Sequence, residues 1–288
     1  MSDTDAVTGY RRLVSTQWLA DHLGSPDIVI VDGSWHMPAT GRNGRTEYLA
    51  AHILGAVFFD VDTIADTSSG LPHMLPTEEA FSAAVGALGV GDGKTIVVYD
   101  GAGLFSAPRV WWTFRAFGAD EVFILDGGFP KWQAEGRPVA SGESGAAPTT
   151  FTARLDRSIV AGIEDISRTI ADGSAQILDA RAAERFRGEA AEPRAGVRAG
   201  HIPGSRNLPV SDVVKNGRLA DAAGIRAAVD AAGIDTAQPV ITSCGSGVTA
   251  AILWLALDEI GTPPKALYDG SWTEWGSSTK PIATGPAD

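Results

Sequence analysis

The chain repeats itself once, and that repeat restricts its possible folds more than any other feature. Asp-Ile-Val-Ile-Val-Asp-Gly (Asp27 to Gly33) parallels Ala-Gln-Ile-Leu-Asp-Ala-Arg (Ala175 to Arg181), each a short apolar run ending in an acid, Asp32 or Asp179. His-Ile-Leu-Gly-Ala-Val (His52 to Val57) parallels His-Ile-Pro-Gly-Ser-Arg (His201 to Arg206). Thr-Ile-Val-Val-Tyr-Asp (Thr95 to Asp100) parallels Val-Ile-Thr-Ser-Cys (Val240 to Cys244), and Val122 to Trp132 parallels Ala266 to Trp275. The order is the same in both halves, and the offset barely drifts: 149 positions from His52 to His201, 143 from Asp126 to Asp269. Such a period predicts two copies of one structural unit.

Within each half, β-branched runs alternate with stretches of helical period. Helices are expected over Ser15 to Leu23, Glu78 to Leu88, Ala107 to Phe117, Ile163 to Asp172 and Ala222 to Ala232. Ser15 and Thr77 are the expected N-caps, Thr77 being followed by the favourable acids Glu78 and Glu79. Strands separated by helices predict an α/β fold: two tandem domains, each a mainly parallel sheet flanked by helices. The stretch Ala140 to Phe151, rich in small residues, reads as the connection. The expected organisation is therefore an N-terminal domain over 1–140, a linker over 141–155 and a C-terminal catalytic domain over 156–288.

A net charge of −12 argues against nucleic acid as a partner, because neutralising phosphates requires an excess of Lys and Arg. A lone cysteine cannot form an internal disulfide, so the fold does not need an oxidising compartment. No apolar run approaches the roughly 20 residues of a spanning helix. The opening Met-Ser-Asp-Thr-Asp-Ala-Val has no basic stretch leading into an apolar one, so a cytoplasmic location without membrane attachment is expected.

That lone cysteine, Cys244, heads Cys-Gly-Ser-Gly-Val-Thr, between the strand-like Pro239 to Ser243 and the helix-like Ala250 to Leu257. In parallel sheets, ligand sites lie at the carboxyl ends of strands. Backbone N–H groups and the helix dipole favour negative charge there, and a thiolate is the form that attacks. The first half has Asp100 at the matching position and is expected to be catalytically silent. A phosphatase loop would carry Arg six residues after the cysteine; here that residue is Ala250, which removes the phosphate clamp. The tight loop of Gly245, Ser246, Gly247, Val248 and Thr249 suits a small anion such as a persulfide, and Ser246 can hydrogen-bond the sulfur or serve as a plain loop cap.

Among the five histidines, His52 and His201 recur with the repeat and read as structural, and His22 reads as helix surface. His73 lies in the proline-bracketed loop Thr67 to Pro76, which the second half lacks. A second unmatched segment, Ala180 to His201, carries Arg181, Arg185, Arg187, Arg194 and Arg198. Charge alone leaves two readings of it: a solvated loop paired with Glu184, Glu189 and Glu192, or a carboxylate clamp. No Cys and His cluster suggests a metal site, and no cofactor is expected.

Taken together, these segments resemble the tandem rhodanese-type sulfurtransferases, most closely the 3-mercaptopyruvate type. The resemblance runs from about Leu13 to Trp275 and rests on Cys244 to Thr249, Gly55 to Asp62, His73 to Pro76, Ser106 to Trp112, Gly200 to Gly204 and Tyr268 to Trp272. Thiosulfate-preferring relatives typically carry basic residues after the cysteine, where this chain has Gly245 and Ser246. The resemblance implies Cys244 as sulfur acceptor, Ser246, His73 and Asp62 as a relay beside it, and Arg185 and Arg194 as the substrate clamp. Arg181, Arg187 and Arg198 keep a surface or structural reading. The expected activity moves sulfur from 3-mercaptopyruvate through a Cys244 persulfide to a thiol such as thioredoxin, or to cyanide, releasing pyruvate. Alternatives are a thiosulfate sulfurtransferase and a non-catalytic persulfide relay.

Overall fold

The computed structural model describes residues 9–287, so the opening Met-Ser-Asp-Thr-Asp-Ala-Val stretch lies outside the described residues. The chain forms two compact units. The first comprises residues up to Asp66, Leu75–Leu155 and Asn216–Arg218; the second comprises Thr67–Met74, Asp156–Lys215 and the chain from Leu219 onward.

The first unit contains β1 (Leu13–Val14), β2 (Ile28–Asp32), β3 (His52–Ile53), β4 (Val57–Phe58), β5 (Thr95–Tyr99), β6 (Val122–Leu125) and β7 (Val139–Ala140). Five of them make a parallel sheet in the order β1-β6-β5-β2-β4, while β3 pairs antiparallel with β7. The rest of the chain contributes β8 (Val160–Ala161), β9 (Gln176–Asp179), β10 (Arg206–Asn207), β11 (Val214–Lys215), β12 (Arg218–Leu219), β13 (Val240–Ser243) and β14 (Ala266–Tyr268). The sheet of the second unit runs β8-β14-β13-β9-β10, again all parallel. The two orders are the same, strand for strand, as the sequence repeat requires. Even the small antiparallel contact of β3 returns, as a bridge between His201 and Ala283.

The central strands are buried on both faces, which is why β5 and β13 read as continuous β-branched runs without alternation. The helix after β13, Ala250–Glu259, is buried from Ala250 to Asp258, and within that stretch it is apolar on every side except at Asp258. Ser15 and Thr77 cap their helices as expected: the Ser15 hydroxyl accepts the Trp18 N–H at 3.0 Å, and the Thr77 hydroxyl accepts the Ala80 N–H at 3.2 Å. His52 and His201 are matched structural fixtures. His52 stacks on Tyr48 at 4.1 Å with Nδ1 2.8 Å from the Tyr48 carbonyl; His201 stacks on Phe186 at 3.8 Å with Nδ1 2.8 Å from the Phe186 carbonyl.

The stretch of small residues after β7 lies packed along the first unit. The Thr149 N–H donates to the Gly86 carbonyl at 2.9 Å, and Phe151 is buried against Phe81 and Phe114. Ala146 sits so close to Gly89 that a Cβ on that glycine would lie 2.6 Å from the alanine methyl. Small residues serve close approach here, and composition alone does not separate that use from a loose tether. Asn216–Arg218 follows the same logic. Arg218 donates to the Asp126 carboxylate at 2.6 and 3.1 Å, inside the first unit.

The acids that end β2 and β9 differ in one respect. Asp179 pairs with Arg181 at 2.7 Å. Asp32 is equally buried and accepts the Ser34 N–H at 2.9 Å, but has no guanidinium beside it among the described residues. Burial pushes its carboxyl up to about 6, against 3.8 for a free aspartate. The folded chain therefore holds this proton more tightly than the unfolded chain. The stabilisation is complete below pH 3.8 and is lost as pH rises through about 6. Asp32→Asn removes the penalty for ionisation. In urea unfolding the variant is expected to exceed wild type by up to about 3 kcal/mol at pH 7.5, with the gap closing toward pH 4. A gap independent of pH would show that Asp32 ionises freely in the fold.

Candidate active site

Cys244 follows β13 directly and is 1 % exposed. Its loop is held from below by the turn after β14. The Trp272 N–H donates to the Cys244 carbonyl at 2.9 Å, and Thr273 donates both its N–H, at 2.9 Å, and its hydroxyl, at 2.6 Å, to the Gly245 carbonyl. The Ser271 hydroxyl accepts the N–H groups of Cys244 and Gly247, at 3.2 and 3.1 Å, and donates to the Tyr268 carbonyl at 2.8 Å.

Ser271 is a residue that reading the sequence by chemistry passes over. The usable signal was the repeat, which sets Ser271 opposite Gly128. Both take the left-handed backbone, φ +50° and +54°. The first unit meets that requirement with glycine, and a Cβ at Gly128 would fall 2.6 Å from the Asp100 carbonyl oxygen. The second unit accepts the strain on serine and gains an acceptor for two loop amides.

The second unit also takes in residues 67–74, and His73 with them. His73 is 5 % exposed, and its backbone is left-handed at φ +62°. Its Nδ1 lies 3.1 Å from the Ser246 hydroxyl and 3.2 Å from the Ser246 carbonyl oxygen. The carbonyl only accepts, so Nδ1 carries the hydrogen when it uses that oxygen. Three non-glycine residues among those described have positive φ, and two of them, His73 and Ser271, bond to the Cys244 loop.

Arg185 reaches the same loop from the helix Ala183–Phe186. Its Nη2 stands 3.3 Å from where a Cβ on Gly245 would be. One edge of the guanidinium is bound to Glu192, Nη2 at 2.5 Å and Nε at 3.3 Å. Arg194 lies half-buried in the loop beyond Pro193. Asp62 belongs to the first unit, where both its oxygens accept the Trp35 indole N–H at 3.1 Å and it lines a polar pocket of about 140 Å³ with Ser34, His36 and Arg42. The remaining arginines have other duties. Arg181 is buried between Asp179 and Glu192, Arg187 pairs with Glu189 at 2.6 Å, and Arg198 donates to the carbonyls of Gly276, Ser278 and Lys280.

The first unit shows what this kind of turn does with charge. The Asp100 carboxylate accepts four N–H groups of its own loop: Ala102 at 2.9 Å, Phe105 at 2.7 Å, Ser106 at 2.9 Å and Ala107 at 2.8 Å. The turn is an anion cradle filled by its own side chain. In the second unit a thiol heads the loop, and the N–H groups of Gly245, Ser246, Val248 and Thr249 have no acceptor among the described residues.

Comparison with known proteins places the chain in a family. The rhodanese-like domain profile matches the chain twice, over residues 15–135 and 163–278. The chain belongs to the rhodanese-like family. It is 43% identical to the 3-mercaptopyruvate sulfurtransferase of Escherichia coli (strain K12), covering 92% of this chain and 94% of that protein. It is 42% identical to the 3-mercaptopyruvate sulfurtransferase of Homo sapiens, with 94% of each covered. A thiosulfate sulfurtransferase of Cricetulus griseus is also 42% identical, with 92% of each covered. The crystal structure of a 3-mercaptopyruvate sulfotransferase from Escherichia coli superposes with a TM-score of 0.84 over 90% of this chain and 98% of that one, at 41% identity. Both rhodanese domains, each a parallel sheet flanked by helices, are thus present in this chain. Among the described residues no helix is long and apolar enough to cross a membrane.

The role of Ser271 separates two substitutions. Ser271→Ala keeps the strained backbone and leaves two buried amides without an acceptor, a loss of about 1–3 kcal/mol. Ser271→Gly loses the same acceptor but relieves about 1 kcal/mol of strain. Chemical denaturation is therefore expected to rank wild type above Gly above Ala. Ala and Gly variants of equal stability would remove the case for strain at this position.

Proposed function

We propose that the chain is a 3-mercaptopyruvate sulfurtransferase that carries sulfur as a persulfide on Cys244. The observation that supports this most directly is one loop in which a lone thiol, four uncommitted amides, the His73–Ser246 contact and the Arg185 guanidinium come together.

The chemistry follows from what each group can do. The Cys244 thiolate attacks the substrate's thiol sulfur, and a new S–S bond forms. The C–S bond of mercaptopyruvate breaks, its electron pair leaving with the carbon as pyruvate enolate. The proton once carried by the substrate thiol finishes on the methyl group of pyruvate, and the persulfide stays anionic. Ser246 and His73 form the path for that proton. The loop amides stabilise the sulfur anion, and Arg185 and Arg194 hold the carboxylate and the enolate oxygen. An acceptor nucleophile then takes the outer sulfur and releases the thiolate, so the kinetics are ping-pong. Thioredoxin and cyanide are both suitable acceptors, and the site of action is the cytoplasm. The first domain transfers no sulfur, a reading supported by the carboxylate of Asp100 where the second domain has its thiol.

The donor preference has a physical basis. Thiosulfate is a dianion and gains most from positive charge beside the cysteine. Gly245 and Ser246 supply none, whereas mercaptopyruvate carries its charge on a remote carboxylate that an arginine can meet. Relatives of both names are equally similar in sequence, so the argument rests on these residues.

Intact mass after exposure to mercaptopyruvate tests the intermediate. Wild type is expected to gain one sulfur and Cys244→Ser none; equal gain in both would end the proposal. Arg185→Ala is expected to lower kcat/KM for mercaptopyruvate roughly 10- to 100-fold, with a raised KM, from loss of a charged hydrogen-bonded pair. Unchanged constants would return Arg185 to a structural role.

A further inference from the structure

Four charged side chains in the second unit form a line of alternating sign. Asp179, at the end of β9, accepts three N–H contacts from the Arg181 guanidinium, at 2.7, 3.0 and 3.1 Å. Arg181 lies over the Trp272 ring at 4.4 Å and donates to the Gly200 carbonyl at 2.9 Å, which fixes its position. Its Nη1 donates to Glu192 at 2.9 Å, and Glu192 in turn accepts from Arg185 at 2.5 Å. Side-chain exposure is 1 %, 2 % and 4 % for Arg181, Asp179 and Glu192, and rises to 22 % at Arg185. The line therefore starts in the core and ends on the one member that stands beside Gly245.

Its formal charge is zero. Glu192 uses one edge of Arg185 and balances its positive charge, leaving Nη1 of that guanidinium uncommitted among the described residues. From this geometry we infer that Glu192 is a positioning residue that sets donor selectivity. It aims the fork of Arg185 and cancels the excess charge that a dianion would seek. The inference rests on the proposed sulfurtransferase reading and adds a discriminating part to it. A monoanionic keto acid needs a directed donor pair and little net charge. Thiosulfate needs net charge and offers no planar carboxylate to match the fork.

The test is the ratio of kcat/KM for thiosulfate to that for mercaptopyruvate, with cyanide as acceptor. Glu192→Gln leaves the line with one uncancelled positive charge and is expected to raise the ratio about tenfold, an effect that added salt reduces. Glu192→Asp keeps the charge and is expected to hold the ratio within about twofold of wild type, whatever it does to turnover. A purely structural role would lower both donors alike and leave the ratio still. If Glu192→Gln does not fold, Arg181→Met shifts the line one charge the other way and must lower the ratio. An unmoved ratio in a folded Glu192→Gln or Arg181→Met variant overturns the inference. Wild type that turns over neither donor overturns the underlying reading instead.

Discussion

The structure depends on where one strand-to-helix turn sends its backbone N–H groups. Such a turn at the end of a central parallel strand collects several donors in a buried place, and buried donors must be used. The first unit resolves this with Asp100, whose carboxylate takes four of them. The second has a cysteine there; Ser271 takes the N–H groups of Cys244 and Gly247, and those of Gly245, Ser246, Val248 and Thr249 have no acceptor among the described residues. The same backbone device is closed by its own carboxylate in one copy and keeps four unused donors in the other. That difference separates two copies of one turn: the first closes on its own carboxylate, and the second places a thiol there.

The surroundings of the two turns diverge accordingly. Where Asp100 ties its loop from within, the Cys244 loop is tied from outside, through Ser271, Trp272 and Thr273. The sulfur is thereby left out of the scaffolding. The same separation holds for the arginines: Arg181 is spent on Asp179, Glu192 and Trp272, and Arg185 is left with part of its guanidinium to offer.

Much of this was legible in the sequence because it is periodic or repeated. Matched apolar runs announced central strands and their equivalence in the two halves, Ser15 and Thr77 announced helix starts, and Cys244 was marked by the turn around it. What stayed hidden depended on contact at a distance. Ser271 looks like an ordinary turn serine until its hydroxyl is seen beneath residues 27 and 24 positions earlier. Glu192 looks like one acid of a mixed loop, and only its burial between two guanidiniums separates it from Glu189. The residues after β7 were readable as small but not as closely packed, since both uses favour the same amino acids. Asp62 and Arg194 are recognisable from the family pattern alone.

The composition of the two units carries a last consequence, for modularity. Residues 67–74 lie early in the chain yet belong to the second unit, and residues 216–218 lie late yet belong to the first. A cut anywhere in the connecting stretch yields two fragments, and neither contains a whole unit. The later fragment would hold Cys244 without His73; the earlier would hold Asp126 without Arg218. The halves are copies by sequence but not exchangeable parts. The half that carries Cys244 cannot be transplanted, shuffled or inherited alone without a piece of chain that the other half encodes.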